Sequence, residues 1–245
     1  MDPAAREAER IRAEYRRRDS TASSRETAWL DPVHRLGLQT LEWALLDELG
    51  RTGITLAGAR ALEVGCGSGY FLSRLLDYGV SQGAGIDLVD ERIAIARERY
   101  PQLELVVGDA SQLPWADGSF QLVTQFTCLS SVLDTEVRRA IATEMWRVLA
   151  PGGALVSYDM RPPPGPIRTF RRLVSRGAQP PAASAPLDVA DLRAWLRGAQ
   201  MRERALGVDP ELAGLLRRLR LPVRPATRVR ALSVHALAVA RKPAG

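Results

Sequence analysis

The stretch Leu62-Glu63-Val64-Gly65-Cys66-Gly67-Ser68-Gly69-Tyr70-Phe71 constrains the chain more than any other: an apolar strand runs into a glycine-rich turn and an apolar helix follows at once. Glycine tolerates positive φ and close contact at little steric cost, so such a turn lets main chain approach a ligand without Cβ interference. Glu63 stands two residues before the first glycine, at the strand's carboxyl end, where open α/β sheets bind their ligands. A carboxylate there repels phosphate and suits a cation. Tyr70 occupies the place where a dinucleotide fingerprint wants its third glycine, so the turn is not a pyrophosphate cradle. Asp87 ends a second short strand, Gly83-Ala84-Gly85-Ile86-Asp87, where an acid can take a pair of ribose hydroxyls. Asp109 closes a third, Val106-Val107-Gly108-Asp109-Ala110. Three strand-end acids and a glycine turn describe a nucleoside that carries positive charge and no phosphate.

The four segments Leu62 to Gly69, Gly85-Ile86-Asp87-Leu88, Gly108-Asp109-Ala110-Ser111-Gln112-Leu113-Pro114-Trp115 and Trp146-Arg147-Val148-Leu149-Ala150-Pro151-Gly152-Gly153 resemble, in order, the successive motifs of class I S-adenosylmethionine-dependent methyltransferases. The resemblance covers roughly residues 58–160. It implies an α/β fold, a Rossmann-like doubly wound seven-stranded mixed sheet with the last strand antiparallel, and S-adenosyl-L-methionine as cofactor. It also implies that Gly65, Gly67 and Gly69 pass the methionine part of the cofactor, with Glu63 at the strand end and Gln125 across from it. Asp87 with Leu88 would hold the ribose, and Asp109 with Ala110 would bracket the adenine. A nicotinamide-dependent oxidoreductase would share the sheet, yet it fails on Tyr70 and gains nothing from Glu63.

The length of 245 residues suits one α/β domain with an embellishment. The expected division is a helical lid over 1–57, a cofactor core over 58–160, an acceptor-side insertion over 161–230 and a final antiparallel strand over 231–242. No apolar run is long enough to span a membrane, and the first residues lack the apolar core of a signal peptide. Two cysteines, Cys66 and Cys128, are too few for a disulfide scaffold or a zinc site and suit a reducing cytoplasm. Lys242 is the sole lysine, and residues 161–230 hold fifteen arginines against five acids, about +10 of a total of +6. A basic segment beside an acidic cofactor region can meet an anionic substrate, a nucleic acid or an acidic membrane surface, or be only a solvated face.

Helices are expected over 4–18, from Asp31-Pro32 with Leu38, Leu41, Leu45 and Leu49 at helical spacing, over 69–78, over 90–99 with Asp90 as cap, over 134–149, from Asp188 to Leu196 and over 211–220. Strands are expected over 60–64, 83–87, 103–107, 120–126, 153–159 and 231–241. In the resembled fold the N-terminal helices lie over the cleft, which makes Tyr15, Trp29 and His34 substrate-side candidates, joined by Phe126 and Tyr158 at the strand ends.

The loop Gln125 to Asp134 leaves the sheet beside the expected methyl group. It lacks both the Asp/Asn-Pro-Pro-aromatic sequence of exocyclic-amine methylation and the Pro-Cys pair of cytosine methylation, which disfavours nucleic acid by those routes. Antiparallel pairing of the last strand would set His235 opposite Tyr158 or Asp159, and a carboxylate orienting an imidazole makes a general base. Asp159 and His235 are therefore the expected catalytic pair, with an oxygen acceptor. Thr127-Cys128-Leu129-Ser130-Ser131-Val132-Leu133-Asp134, with Tyr158-Asp159-Met160-Arg161 and the terminal His235 to Lys242, is similar to a bacterial subgroup acting in polysaccharide or secondary-metabolite pathways, which implies a natural-product or glycan intermediate as the small-molecule acceptor. The loop Pro162-Pro163-Pro164-Gly165-Pro166 departs from that subgroup's pattern. Nitrogen or carbon methylation, an RNA methyltransferase and a silent cofactor-binding subunit are the alternatives.

Overall fold

The computed structural model describes residues 3–20, 32–174 and 184–244. Two helices, α1 (Pro3–Ser20) and α2 (Pro32–Thr52), precede an alternating run: β1 (Arg60–Val64), α3 (Tyr70–Asp77), β2 (Gln82–Asp87), α4 (Asp90–Arg99), β3 (Glu104–Val107), β4 (Phe120–Phe126), α5 (Thr135–Val148) and β5 (Leu149–Met160). After these come α6 (Gly165–Val174), α7 (Val189–Trp195), β6 (Gln200–Leu206), α8 (Pro210–Arg218) and β7 (His235–Arg241). The strands form one sheet in the order β3-β2-β1-β4-β5-β7-β6. β1 to β5 are parallel, and β7 runs antiparallel to both of its neighbours.

Both faces of the sheet are covered, so the strands read as apolar runs. Leu62, Val64, Ile86, Val123 and Leu155 pack on one side with Ile11 of α1, Val137, Ile141 and Met145 of α5, and Leu192 of α7. Ala61, Leu122, Val156, Leu237 and Val239 pack on the other with Leu41, Leu45 and Leu49 of α2, Leu72 and Leu75 of α3, and Ile93 of α4. β1 has β2 on one flank and β4 on the other. The chain's winding reverses there, and the carboxyl ends of the strands open into a crevice.

Helix starts follow local chemistry. Asp134 caps α5 by accepting from the N–H groups of Glu136 and Val137 (2.8 and 3.2 Å), and Asp188 caps α7 by accepting from Ala190 N (2.9 Å). Asp90 does not cap α4. It lies in the first turn, and Asp87 Oδ1 takes the Val89 N–H instead (2.9 Å).

The segment 161–230 is more than an acceptor-side addition, because β6 within it completes the sheet as an edge strand. Its Arg202 and Arg204 pair with Glu48 and Asp47 of α2, charges that also guard an exposed edge. The final strand begins at His235 and not at Ala231, since a short 3-10 turn occupies Arg230–Leu232.

Candidate functional site

Two cavities share the mouth of the sheet. The first lies under α1 and is lined by Tyr15, Asp87, Leu88, Asp109, Ala110 and Cys128 among others. The second is walled by the N-terminal end of α2, the glycine turn and the chain after β6, with Glu63, Tyr158 and His235 on its lining. Gly65, Arg92, Phe126 and Thr127 line both, which makes them two arms of one cleft.

The glycine turn is tied to the end of β2. Gly65 N and Cys66 N donate to Ile86 O (2.8 and 3.1 Å), and Gly67 N donates to Asp87 Oδ2 (2.8 Å). Gly65 has φ +70, and a Cβ there would fall 2.7 Å from Cys128 Cβ and Sγ, so the loop after β4 packs directly on the turn. Thr127, in that loop, takes φ 59, a left-handed conformation that a β-branched residue adopts only when its surroundings impose it. Its N–H donates to Tyr158 O (2.7 Å).

Acids dominate the lip. Burial, helped by the neighbouring Asp87 and opposed by a backbone hydrogen bond at Leu72, pushes the Glu63 carboxyl well above the usual carboxylate range. Its Oε2 is buried without a hydrogen-bond partner. Burial also raises Asp87, against the pull of the Val89 and Gly67 N–H groups and of Arg92. Asp109 accepts from Ser111 N (2.8 Å), which fixes the turn after β3. Low-dielectric acids converging on a cleft favour a cationic ligand, and an orphaned carboxylate oxygen on the lining is a group that a ligand donor would satisfy.

α1 covers the first cavity through specific contacts. Tyr15 bonds Ser131 Oγ (2.9 Å), the Arg92 guanidinium lies 4.2 Å from the centre of the Tyr15 ring, and Arg12 donates to Leu88 O (3.2 Å). Burial acts to raise the Glu7 carboxyl, but Arg10 and the Leu133 N–H outweigh it and hold the group below its ordinary value. Arg10 also donates to Ser131 O, so α1 is docked on the loop after β4 by a charged pair and not by apolar packing alone.

Gln125, expected beside the cofactor, and the groups expected on the acceptor side are distributed differently. Gln125 is not in the cleft. It is fully buried between β4 and β5, donating to Ser157 Oγ (2.6 Å) and Asp159 Oδ2 (3.1 Å) and accepting from Cys128 N (2.9 Å). Asp159 is likewise interior, accepting from Ser130 N (3.0 Å) and Met160 N (2.9 Å). The expected pair of Asp159 and His235 does not form. Register sets Ala236 opposite Asp159 and His235 opposite Met160, and side chains one residue apart on a strand point to opposite faces. His235 instead stacks on Tyr158 (ring centres 5.0 Å apart), and burial alone lowers its pKa to about 4. Its Nδ1 is buried without a partner beside Gly207, whose φ of +74 and missing side chain leave that space. Burial raises the Tyr158 phenol as well, and Asp159 adds to the shift.

Of the remaining substrate-side candidates, His34 lies exposed at the start of α2 on the second cavity. Phe126 stacks on Phe71 (4.1 Å) at the junction of the two arms, and Trp29 lies outside the described residues. Sequence reasoning missed Glu7, Arg92, Thr127 and Gly207. None carries a local signal, since each acquires its place through a partner distant in the chain.

The α/β sheet sets a glycine turn and acids at its switch point, a lining that suits a cationic ligand. Residues 62–157 match the family model of a methyltransferase domain. The chain is 32% identical over 169 residues to the demethylmenaquinone methyltransferase of Renibacterium salmoninarum, covering 64% of this chain and 68% of the relative. It is 41% identical over 112 residues to the 2-phytyl-1,4-naphtoquinone methyltransferase of Thermosynechococcus vestitus, covering 43% of this chain and 48% of that one. Haemonchus contortus phosphoethanolamine N-methyltransferase 2 in complex with S-adenosyl-L-methionine shares the fold, with a TM-score of 0.59 at 19% identity over 81% of this chain and 52% of its own. The chain belongs to the S-adenosylmethionine-dependent methyltransferases, and S-adenosyl-L-methionine is its cofactor.

Proposed function

We propose that the chain transfers a methyl group to a ring oxygen or ring carbon of a small, largely apolar acceptor of the quinol or phenol class. The observation that carries this reading is the part of the second cavity beyond the glycine turn, walled by Leu36, Leu38, Leu41, Phe71, Phe126 and Val223, whose apolar lining suits a flat ring better than a glycan. The two relatives described above have names that specify quinone acceptors, which supports the same class.

In this reading Asp87 and Leu88 hold the ribose, Asp109 and Ala110 flank the adenine, and the glycine turn with Glu63 receives the methionine end. Gln125 and Asp159 act at one remove, holding the loop after β4 in place. When bound, S-adenosyl-L-methionine supplies a methyl carbon already activated for displacement. The chain's own contribution is alignment and exclusion of water, worth about 7–11 kcal/mol when the reacting atoms are well placed.

The proton balance favours an acceptor that is acidic in its own right. An imidazole with a pKa of about 4 is a weak base at neutral pH. Neutral His235 serves better as a hydrogen-bonding group toward the acceptor's polar atom. A quinol or phenol ionises without a strong base, whereas a sugar hydroxyl does not.

Methyl-labelled cofactor offered with a naphthoquinol, a simple phenol and a hexose tests the reading. Label on the quinol or phenol supports it, and label only on the hexose, or on none of the three with cofactor bound, sinks it.

A further inference from the structure

Residues 207–232 have two sides. Inward, Gly207, Val208, Pro210, Val223 and Thr227 wall the acceptor cavity. Outward, the same segment exposes apolar side chains in an unusual concentration. Of the nine large apolar residues exposed among the described residues, Leu215, Leu219, Leu221 and Val229 belong to it, and Leu173 lies on α6, which Arg171 joins to the α8 cap residue Asp209 (2.7 Å). Leu219 is 59% and Leu221 51% exposed, too open for core packing.

Arginines interleave with them. Arg217, Arg218, Arg220 and Arg224 are all exposed, and Arg220 takes φ 56 in the turn where Leu221 N closes on Leu216 O (2.8 Å). The buried side of α8 is supplied by Ala213, with Leu212 and Leu216 packed on Val208 and Val223, so the outward leucines are not needed to hold the helix.

We propose that this outer surface is a docking face for an anionic lipid membrane, which would bring an apolar acceptor held in the bilayer to the cavity on the segment's other side. Arginine with exposed leucine is what an interfacial surface requires: the guanidinium groups meet lipid phosphates while the leucines enter the boundary between headgroups and acyl chains. The charge suits an anionic surface, since residues 207–232 carry six arginines against two acids, Asp209 and Glu211. A nucleic acid is the weaker occupant. Residues 207–232 contain no aromatic side chain, so this face offers no platform for stacked bases, and exposed leucines gain nothing from phosphate. No helix among the described residues is long and apolar enough to cross a membrane, so the attachment is peripheral. The purpose assigned to this face rests on the acceptor reading above, but the binding itself does not.

Cosedimentation of the full chain with phosphatidylcholine vesicles, with and without phosphatidylglycerol, tests the proposal with no acceptor present. Binding is expected only to the anionic vesicles and should weaken with salt. R218E/R220E/R224E should reduce partition roughly tenfold or more. L219S/L221S should reduce it at a salt concentration where charge alone no longer holds the protein. Both variants should keep the wild-type circular dichroism and affinity for S-adenosylhomocysteine, which separates lost docking from lost folding. Equal binding to neutral and anionic vesicles, wild-type partition of both variants, or tighter binding to a single-stranded RNA than to anionic vesicles would overturn it. Vesicle binding without methylation of quinols would leave the docking face standing and remove the acceptor reading alone.

Discussion

In the part of the cleft proposed to hold the cofactor, the lining groups lie within a few residues of the strand that delivers them, whereas in the part proposed for the acceptor each one depends on pairing between strands far apart in sequence. Glu63, the glycine turn and Asp87 span two adjacent strands and the helix between them, and Gly67 N reaches Asp87 directly. Across the sheet, β5 and β7 meet with 74 residues between them, and the fate of Asp159 and His235 is decided by a register that no local feature announces. Local sequence therefore fixes groups carried on a strand end and the turn that follows it, while groups that meet across distant strands need the tertiary arrangement to say which face each one takes.

The steepest test of that contrast is Gly65→Ala. Its Cβ would meet Cys128 at 2.7 Å in a left-handed conformation, whereas a Cβ at Gly67 would meet only Arg92, at 3.7 Å. Thermal or urea unfolding should show Gly65→Ala losing about 3 kcal/mol or more and Gly67→Ala only about 1–2 kcal/mol. Equal losses would mean that the loop after β4 does not pack on the turn.

His235→Gln probes the acceptor side through pH. Burial lowers the imidazole from 6.5 to about 4, so the unfolded chain takes up the proton first as the medium is acidified. This contribution to stability is complete above pH 6.5 and is lost as pH falls toward 4, amounting to about 2–3 kcal/mol. The variant should lack that part of the acid limb. A carboxylate partner would reverse the sign, and a variant that becomes less stable than wild type in that window would restore the pair with Asp159.

Asp87→Asn comes next. An amide can accept from only one of the Gly67 and Val89 N–H groups and turns a donor toward the other, so the turn and the proposed ribose contact both suffer. Calorimetry should show S-adenosylhomocysteine binding weakened by about 1.5–3 kcal/mol. Tyr15→Phe should have the smallest effect, about 0.5–1.5 kcal/mol in the same titration, because it removes one hydrogen bond, to Ser131, and keeps the ring under Arg92. A larger loss would make the α1 contact a principal support of the cofactor arm.

Much of the sheet could be read in advance because strands buried on both faces betray themselves as apolar runs between turn residues. β1 and β4 match their expected bounds for that reason. β6 escaped because Gln200–Leu206 carries Arg202, Glu203 and Arg204, and its charges make sense only beside Glu48 and Asp47, about 150 residues earlier. Gln125 looked like a cleft residue from its place at the end of β4, yet its amide is consumed by Ser157, Asp159 and the Cys128 N–H.

By itself the sequence determined the doubly wound sheet and the cofactor crevice, since both follow from hydrophobic periodicity and from glycines that act through main chain. Only the tertiary structure decided which acceptor-side groups meet. A shift of one residue in antiparallel pairing carries a side chain to the opposite face of the sheet, and that is the distance between a general base and a neutral imidazole stacked on Tyr158.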